Sequence, residues 1–206
     1  DDPQAPFEPE SEESVLMADM DAVWIRTDPP VDRAYFYMTM LLDLLPASVK
    51  VINRPSTIRD WNEKLAALQY SQFTPATMVA RHSAQIVDFV HQHGRTTLKP
   101  IDGHGGAGIL FVNSEQPDLE SQIRLATHGG SHWVIVQQYL DAAKEGDKRI
   151  LLLNGEPLGA ILRLHAEGVE LNNLDQGGEA LASELVDRDR EICAGLKTDL
   201  VSRGVV

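Results

Sequence analysis

The sequence predicts an α/β fold, and three observations carry that reading. Apolar runs of strand character alternate with runs of helical spacing along most of the chain. Asn154-Gly155 lies between two apolar runs, a strong signal for a tight hairpin. Four glycines crowd residues 103–108, between strand-like runs at 96–99 and 109–112.

Taken in order, residues 1–17 read as an acidic, flexible lead rich in Pro, Glu and Ser. Residues 22–26 read as a short buried strand, broken by Asp28-Pro29-Pro30 because proline cannot donate to a ladder. Tyr35, Met38, Leu41, Leu42 and Leu45 recur at helical spacing and predict a helix over 32–45. A second strand is expected at 49–53. A helix is expected over 55–70, with Ser56 as its cap and Ile58, Trp61, Leu65 and Leu68 on one face.

Residues 76–81 read as a strand and 83–93 as a helix that stops at Gly94. After the two strands flanking the glycines, a helix is expected over 118–128 and a strand over 133–139. Residues 149–153 and 156–164 form the predicted hairpin. Residues 171–178 read as a polar, glycine-containing loop, and 187–203 as a closing helix.

At 206 residues the chain is long enough for one large or two small cores. The formal net charge of −13 argues against a general nucleic-acid binder. Much of it lies in the first 21 residues, which carry eight acids and no Lys or Arg. Phosphate binding, which depends on local charge and oriented amides, is not excluded. No apolar run approaches the roughly 18–20 residues of a membrane span, so no membrane partner is expected. The acidic start lacks the basic region of a signal peptide. A single cysteine, Cys193, cannot close an internal disulfide and suits a reducing, cytoplasmic setting.

The chemistry concentrates in Leu98-Lys99-Pro100-Ile101-Asp102-Gly103-His104-Gly105-Gly106-Ala107-Gly108-Ile109. Glycines let backbone N–H groups approach an anion and tolerate positive φ. The lysine supplies a point charge for phosphate. This is not a Walker A loop, because the lysine precedes the glycines and a strand follows them. A glycine hairpin beside an incidental lysine remains the plain alternative.

Arg59-Asp60-Trp61-Asn62-Glu63-Lys64-Leu65, the glycine run, Gln137-Gln138-Tyr139-Leu140 and Asp147-Lys148-Arg149 occur in that order. With Asp28-Pro29-Pro30 after Arg26, they resemble the bacterial glutathione synthetase family of the ATP-grasp superfamily. The resemblance runs from about residue 18 to the C-terminus. It implies a partial ATP-grasp fold: residues 18–55 as the end of an N-terminal substrate domain, 56–136 as the lid domain, and 137–206 as the start of the larger ATP-grasp domain.

The same resemblance implies an ATP-dependent carboxylate–amine ligase joining γ-glutamylcysteine and glycine through an acyl phosphate. Lys64 and Lys99 would meet the ATP phosphates, with Gly103, Gly105 and Gly106 folding over them. Gln138, Tyr139 and Leu140 would border the adenine, and Asp147 would lie near the nucleotide. Arg149 would lie at the forming acyl phosphate, and Arg163 on the substrate side. Arg26 and Asn173 would reach the peptide substrate. Each residue also has a structural reading: Lys64 as a solvated helix lysine, Asp147 and Arg149 as part of an ion-pair row, Leu140 as packing.

No set of histidines has metal-ligand spacing, so no metal ligand is assigned. In the family the Mg²⁺ ligands, an Asp on a strand and then a Glu-x-Asn pair, follow the stretch that ends here at Val206. The chain is therefore expected to lack family segments at both ends and to be an inactive fragment unless completed. A second departure is the stretch 171–179, neutral or acidic where the family carries arginines; this weakens recognition of an anionic acceptor. Another ATP-grasp amino-acid ligase and a non-catalytic nucleotide-binding module are the alternatives. A homo-oligomer is compatible with all three.

Overall fold

The computed structural model of the chain describes residues 10–166 and 178–206. Strands β1 (Ala22–Trp24) and β2 (Lys50–Ile52) pair in parallel, joined through helix α1 (Arg33–Leu42). Asp32 sets the start of α1: its carboxylate accepts the Tyr35 N–H at 2.9 Å. Thr39 and Leu42 form the buried side of the helix. Removing a carboxylate cap leaves an early helix donor without its partner, so Asp32→Ala is expected to cost about 1 kcal/mol, read as a lower denaturation midpoint.

The helix expected over 55–70 is much shorter. α2 (Pro55–Asp60) ends after six residues, followed by 3₁₀ turns at Ala66–Gln69 and Ser71–Phe73. Asn62 is the reason. Its side-chain oxygen accepts the Lys64 and Leu65 N–H groups at 2.9 and 3.0 Å, offering the backbone a competing partner. Ser56 is not the cap: Pro55 occupies the first turn behind Arg54, which makes no side-chain capping bond.

The next six elements form one unit, a sheet with two helices packed on one face. They are β3 (Thr77–Ala80), α3 (Ser83–His93), β4 (Thr96–Pro100), β5 (Leu110–Val112), α4 (Leu119–Ala126) and β6 (Val134–Gln138). The strands pair antiparallel in the order β3-β6-β4-β5. One face buries Ala80, Leu98, Val112, Val134 and Val136 against Ile86, Phe89 and Val90 of α3 and Leu119 and Ile123 of α4. Strand residues alternate faces, so Thr77, Thr97, Lys99, Phe111, Ile135 and Gln137 share the other face. Gly94 ends α3 at φ +72°, as its sequence position predicts.

The third sheet is β7 (Asp147–Leu153), β8 (Glu156–Leu164) and β9 (Glu179–Ser183), all antiparallel. Asn154 and Gly155 both have positive φ, +51° and +75°, as a type I′ turn requires. β9 has no counterpart in the sequence reading. α5 (Asp187–Ser202) follows and packs on β8. Its C-terminal end also anchors the segment after β2. Tyr70 donates to Asp199 at 2.6 Å, Thr57 donates to the Arg203 carbonyl, and the Arg54 amide donates to Gly204 at 3.1 Å. Burial, reinforced by the bond to Asp199, pushes the Tyr70 hydroxyl up to about 12. Cys193 is buried in α5, and desolvation raises its thiol pKa, in keeping with a packing role.

Candidate functional site

The glycine turn between β4 and β5 is tied down from the segment after α2. Asn62 donates to the Ile101 carbonyl at 3.3 Å, and Lys64 donates to the Gly103 carbonyl and to Glu63. Gly105 and Gly106 have φ of +58° and +81°, a conformation that side-chain-bearing residues rarely adopt. Gly108 is fixed by space as well: a Cβ there would lie 2.8 Å from Pro100. Lys64 belongs to a turn rather than to a helix face, because Asn62 diverts the chain just before it.

Lys99 projects from the face of the four-stranded sheet opposite the helices. Its ammonium donates to Gln137 at 2.8 Å, and Gln137 in turn donates to Thr77 at 2.8 Å. Burial, followed by repulsion from Lys64, lowers the Lys99 pKa from the ordinary lysine value. Two cations are thus held close together beneath a glycine turn, with neutral amide and carbonyl partners and one glutamate.

A cleft of about 650 Å³ opens from these lysines toward the third sheet. Lys64, Lys99, Gly103, Gly105 and Gly106 line one side, and Asp147, Arg149 and Arg163 line the other. Asp28 and Pro29 reach its wall. Eight of the residues singled out in the sequence therefore meet on one cavity.

A β-bulge decides which face Arg163 occupies. Next to the turn, Leu153 pairs with Glu156 and Leu152 with Pro157; the register then shifts, so Leu151 pairs with Gly159 and Asp147 with Arg163. One extra residue, Leu158, is accommodated on β8. Without it, Leu162 would face Asp147 and Arg163 would point to the opposite side of the sheet. With it, Arg163 forms a two-pronged ion pair with Asp147 at 2.7 and 2.8 Å. That carboxylate raises the Arg163 pKa still further. Arg149 is exposed and has no hydrogen-bonding or ionic partner among the described residues, so its charge is available to a ligand.

The remaining candidates lie elsewhere. Arg26 is exposed, with its guanidinium 5.7 Å from the Trp24 ring centroid, and does not line the cleft. Gln138, Tyr139 and Leu140 are at the end of β6. The Gln138 and Tyr139 amides are committed to the Ala76 and Arg95 carbonyls, each at 2.9 Å, which leaves Leu140 as the next backbone donor, open among the described residues. Asn173 lies outside the described residues. Gln137, Asn62 and Glu63 stand in the motifs quoted from the sequence but were given no role there. Gln137 was legible in part, since it sits two residues from Ile135 on a strand and so shares its face.

Among the described residues no group of three or more His, Cys, Asp or Glu is arranged to hold a metal ion. Nor is any helix among them long and apolar enough to cross a membrane.

Comparison with known proteins adds the following. A family model described as prokaryotic glutathione synthetase, ATP-grasp domain, matches residues 63–206, and one described as its N-terminal domain matches residues 1–59. The glutathione synthetase of Parasynechococcus marenigrum (strain WH8102) is 43% identical over 190 residues, covering 92% of this chain and 62% of the relative. That of Thermosynechococcus vestitus is 45% identical over 185 residues, covering 89% and 58%. The chain thus spans about three fifths of the length of these relatives. Among solved structures, D-cycloserine synthetase DcsG superposes with a TM-score of 0.67 at 18% identity, covering 94% of this chain and 69% of that one. A RimK-domain ATP-grasp protein from Sphaerobacter thermophilus superposes with a TM-score of 0.62, also at 18% identity, covering 91% and 66%. At such identities these likenesses speak for the ATP-grasp fold alone.

Proposed function

The chain belongs to the prokaryotic glutathione synthetase family, and from that premise we propose that it carries the nucleotide-binding and phosphoryl-transfer wall of a glutathione-forming ligase. The four-stranded sheet serves as the lid layer, the three-stranded sheet begins the larger ATP-grasp layer, and residues 18–55 close the substrate domain. The observation that carries this reading is the single cleft that joins Lys64, Lys99 and the glycine turn to Arg149 and Arg163.

The chemistry follows from charge and position. A carboxylate oxygen of γ-glutamylcysteine is a poor leaving group; transfer of the ATP γ-phosphoryl onto it makes a good one. The glycine amine then adds to the carbonyl, and the tetrahedral adduct collapses to glutathione with loss of phosphate. The protein's part is to orient the groups and to stabilise charge as it develops. Lys64 and Lys99 neutralise the phosphates, and the positive-φ glycines present their amides without an obstructing Cβ. Arg149 offers a planar, permanently charged fork to the transferring group. Asp147 holds Arg163 at the cleft wall. Mg²⁺ would enter as the counter-ion of ATP; the described residues do not fit as its ligand set. A cytoplasmic setting, where ATP and reduced thiols are available, suits this reaction.

The test is release of ADP that depends on both γ-glutamylcysteine and glycine, in a chain extended to the length of its relatives. Turnover with that pair is expected. Turnover only with another carboxylate would make it a different amino-acid ligase, and nucleotide binding without phosphate release would make it a non-catalytic module.

A further inference from the structure

Beyond the cleft, the site-bearing face of the four-stranded sheet continues into a cationic–aromatic cluster. Arg95 immediately precedes β4 and lies opposite Tyr139 in the continued β4–β6 register. Its carbonyl accepts the Tyr139 N–H at 2.9 Å. Its guanidinium carbon lies 4.1 Å from the Tyr139 ring centroid and 5.4 Å from that of Phe111. Phe111 meets Tyr139 edge-on, with centroids 5.6 Å apart. Lys144 approaches the Tyr139 ring at 5.9 Å. One residue thus grips the end of β6 twice, by backbone and by side chain, immediately before the open Leu140 amide.

We propose that Arg95 is a positioning residue for the nucleobase end of the site, holding the Tyr139–Leu140 strand end where its backbone meets the base. The inference rests on the nucleotide-site reading above. Rings and a guanidinium stacked in this way are attracted by the ring quadrupole and have few alternative arrangements. Without the guanidinium, Tyr139 keeps one backbone bond to residue 95, and its ring loses the nearest of the three side chains that hold it, leaving Phe111 and Lys144. The Leu140 amide would then be presented in several orientations, and ordering it would weaken binding of the base. Lys64 and Lys99 would be untouched, because they act at the phosphate end.

That separation supplies the test: calorimetric binding of ADP and of inorganic tripolyphosphate, each with magnesium, to the chain and its variants. Arg95→Ala is expected to weaken ADP about fivefold while leaving tripolyphosphate within about twofold. Arg95→Lys, which keeps a cation over the ring, restores most of the loss. Tyr139→Leu reproduces the selective loss and serves if Arg95→Ala fails to fold. Unchanged ADP affinity in folded Arg95→Ala or Tyr139→Leu overturns the proposal, as does equal weakening of both ligands. If the parent chain binds tripolyphosphate as tightly as ADP, the nucleobase has no site here and the proposal falls. If it binds neither, the nucleotide reading itself fails and takes the proposal with it.

Discussion

If the proposed reading holds, Arg149→Ala in a chain extended to the length of its relatives is expected to lower kcat for ATP-dependent ligation by about 10²–10³-fold, with a much smaller change in the KM for ATP. The expectation rests on what distinguishes Arg149 from the other cations of the cleft. Lys64 donates to the Gly103 carbonyl and Glu63, Lys99 to Gln137, and Arg163 to Asp147. Arg149 alone among these four has no such partner among the described residues. Among the described residues its charge is therefore not offset. A strand in register with β8 fixes its backbone, so the side chain starts from a set position on the cleft wall.

In phosphoryl transfer, negative charge redistributes over the oxygens of the transferring group, and a guanidinium placed beside it favours that state over the bound ground state. Loss of such a group is expected to fall on kcat, because the proposed reading gives ground-state binding of the nucleotide to the lysines and the turn. Arg149→Lys recovers only part of the rate, because an ammonium lacks the two-pronged geometry. Steady-state kinetics decides the matter: a change confined to KM would move Arg149 from the reaction to nucleotide binding. Arg163→Ala is the informative contrast. It leaves Asp147 as an unpaired anion on the cleft wall, so its cost includes repulsion of anionic ligands and should appear in KM as well.

Of the residues that meet at the cleft, Lys99 and the glycine turn were legible from local chemistry, whereas the roles of Lys64, Asp147, Arg149 and Arg163 came from the family resemblance. Glycines with positive φ mark the turn, and an Asn-Gly pair marks the hairpin that brings Asp147 and Arg149 near Arg163. What escaped was set by interactions between segments or by one side chain against its own backbone. The helix expected over 55–70 fails because Asn62 captures two backbone amides, which periodicity does not register. Strand β9 is short and rich in small residues, and only its pairing with β8 defines it. The Asp147–Arg163 pairing depends on one extra residue in β8; counting back from the Asn-Gly turn without a bulge places Leu162 there instead. Bulges next to active sites re-aim side chains in this way, and Leu158 does so here.

Lys99→Met is expected to weaken ADP at least tenfold, about 1.4 kcal/mol, and to flatten the pH dependence of binding. The two effects have one origin. In the free protein, burial and the neighbouring Lys64 charge disfavour the protonated form of Lys99, lowering its pKa. A phosphate placed beside it favours that form and raises the pKa again. Between the free and bound values, binding takes up a proton, so affinity falls as pH rises through the lowered pKa of the free protein. For folding the sign is opposite to that of a salt-bridged lysine. The unfolded chain binds the proton more tightly, so stability rises with pH over the interval between the folded and unfolded values.

Methionine retains much of the length and apolar body of the lysine but carries no charge to titrate. The loss in the variant therefore measures the ammonium rather than a cavity. Calorimetry of ADP from neutral pH to about pH 9.5, in two buffers of different ionisation enthalpy, counts the proton directly. Proton uptake in the parent and none in Lys99→Met would tie the phosphate end to this side chain. Equal uptake in both, with affinity unchanged, would move the nucleotide away from the glycine turn. Lys64→Met gives the control for the pair: removing the repelling neighbour relaxes the Lys99 shift, so the pH dependence moves to higher pH while the affinity falls for want of the second cation.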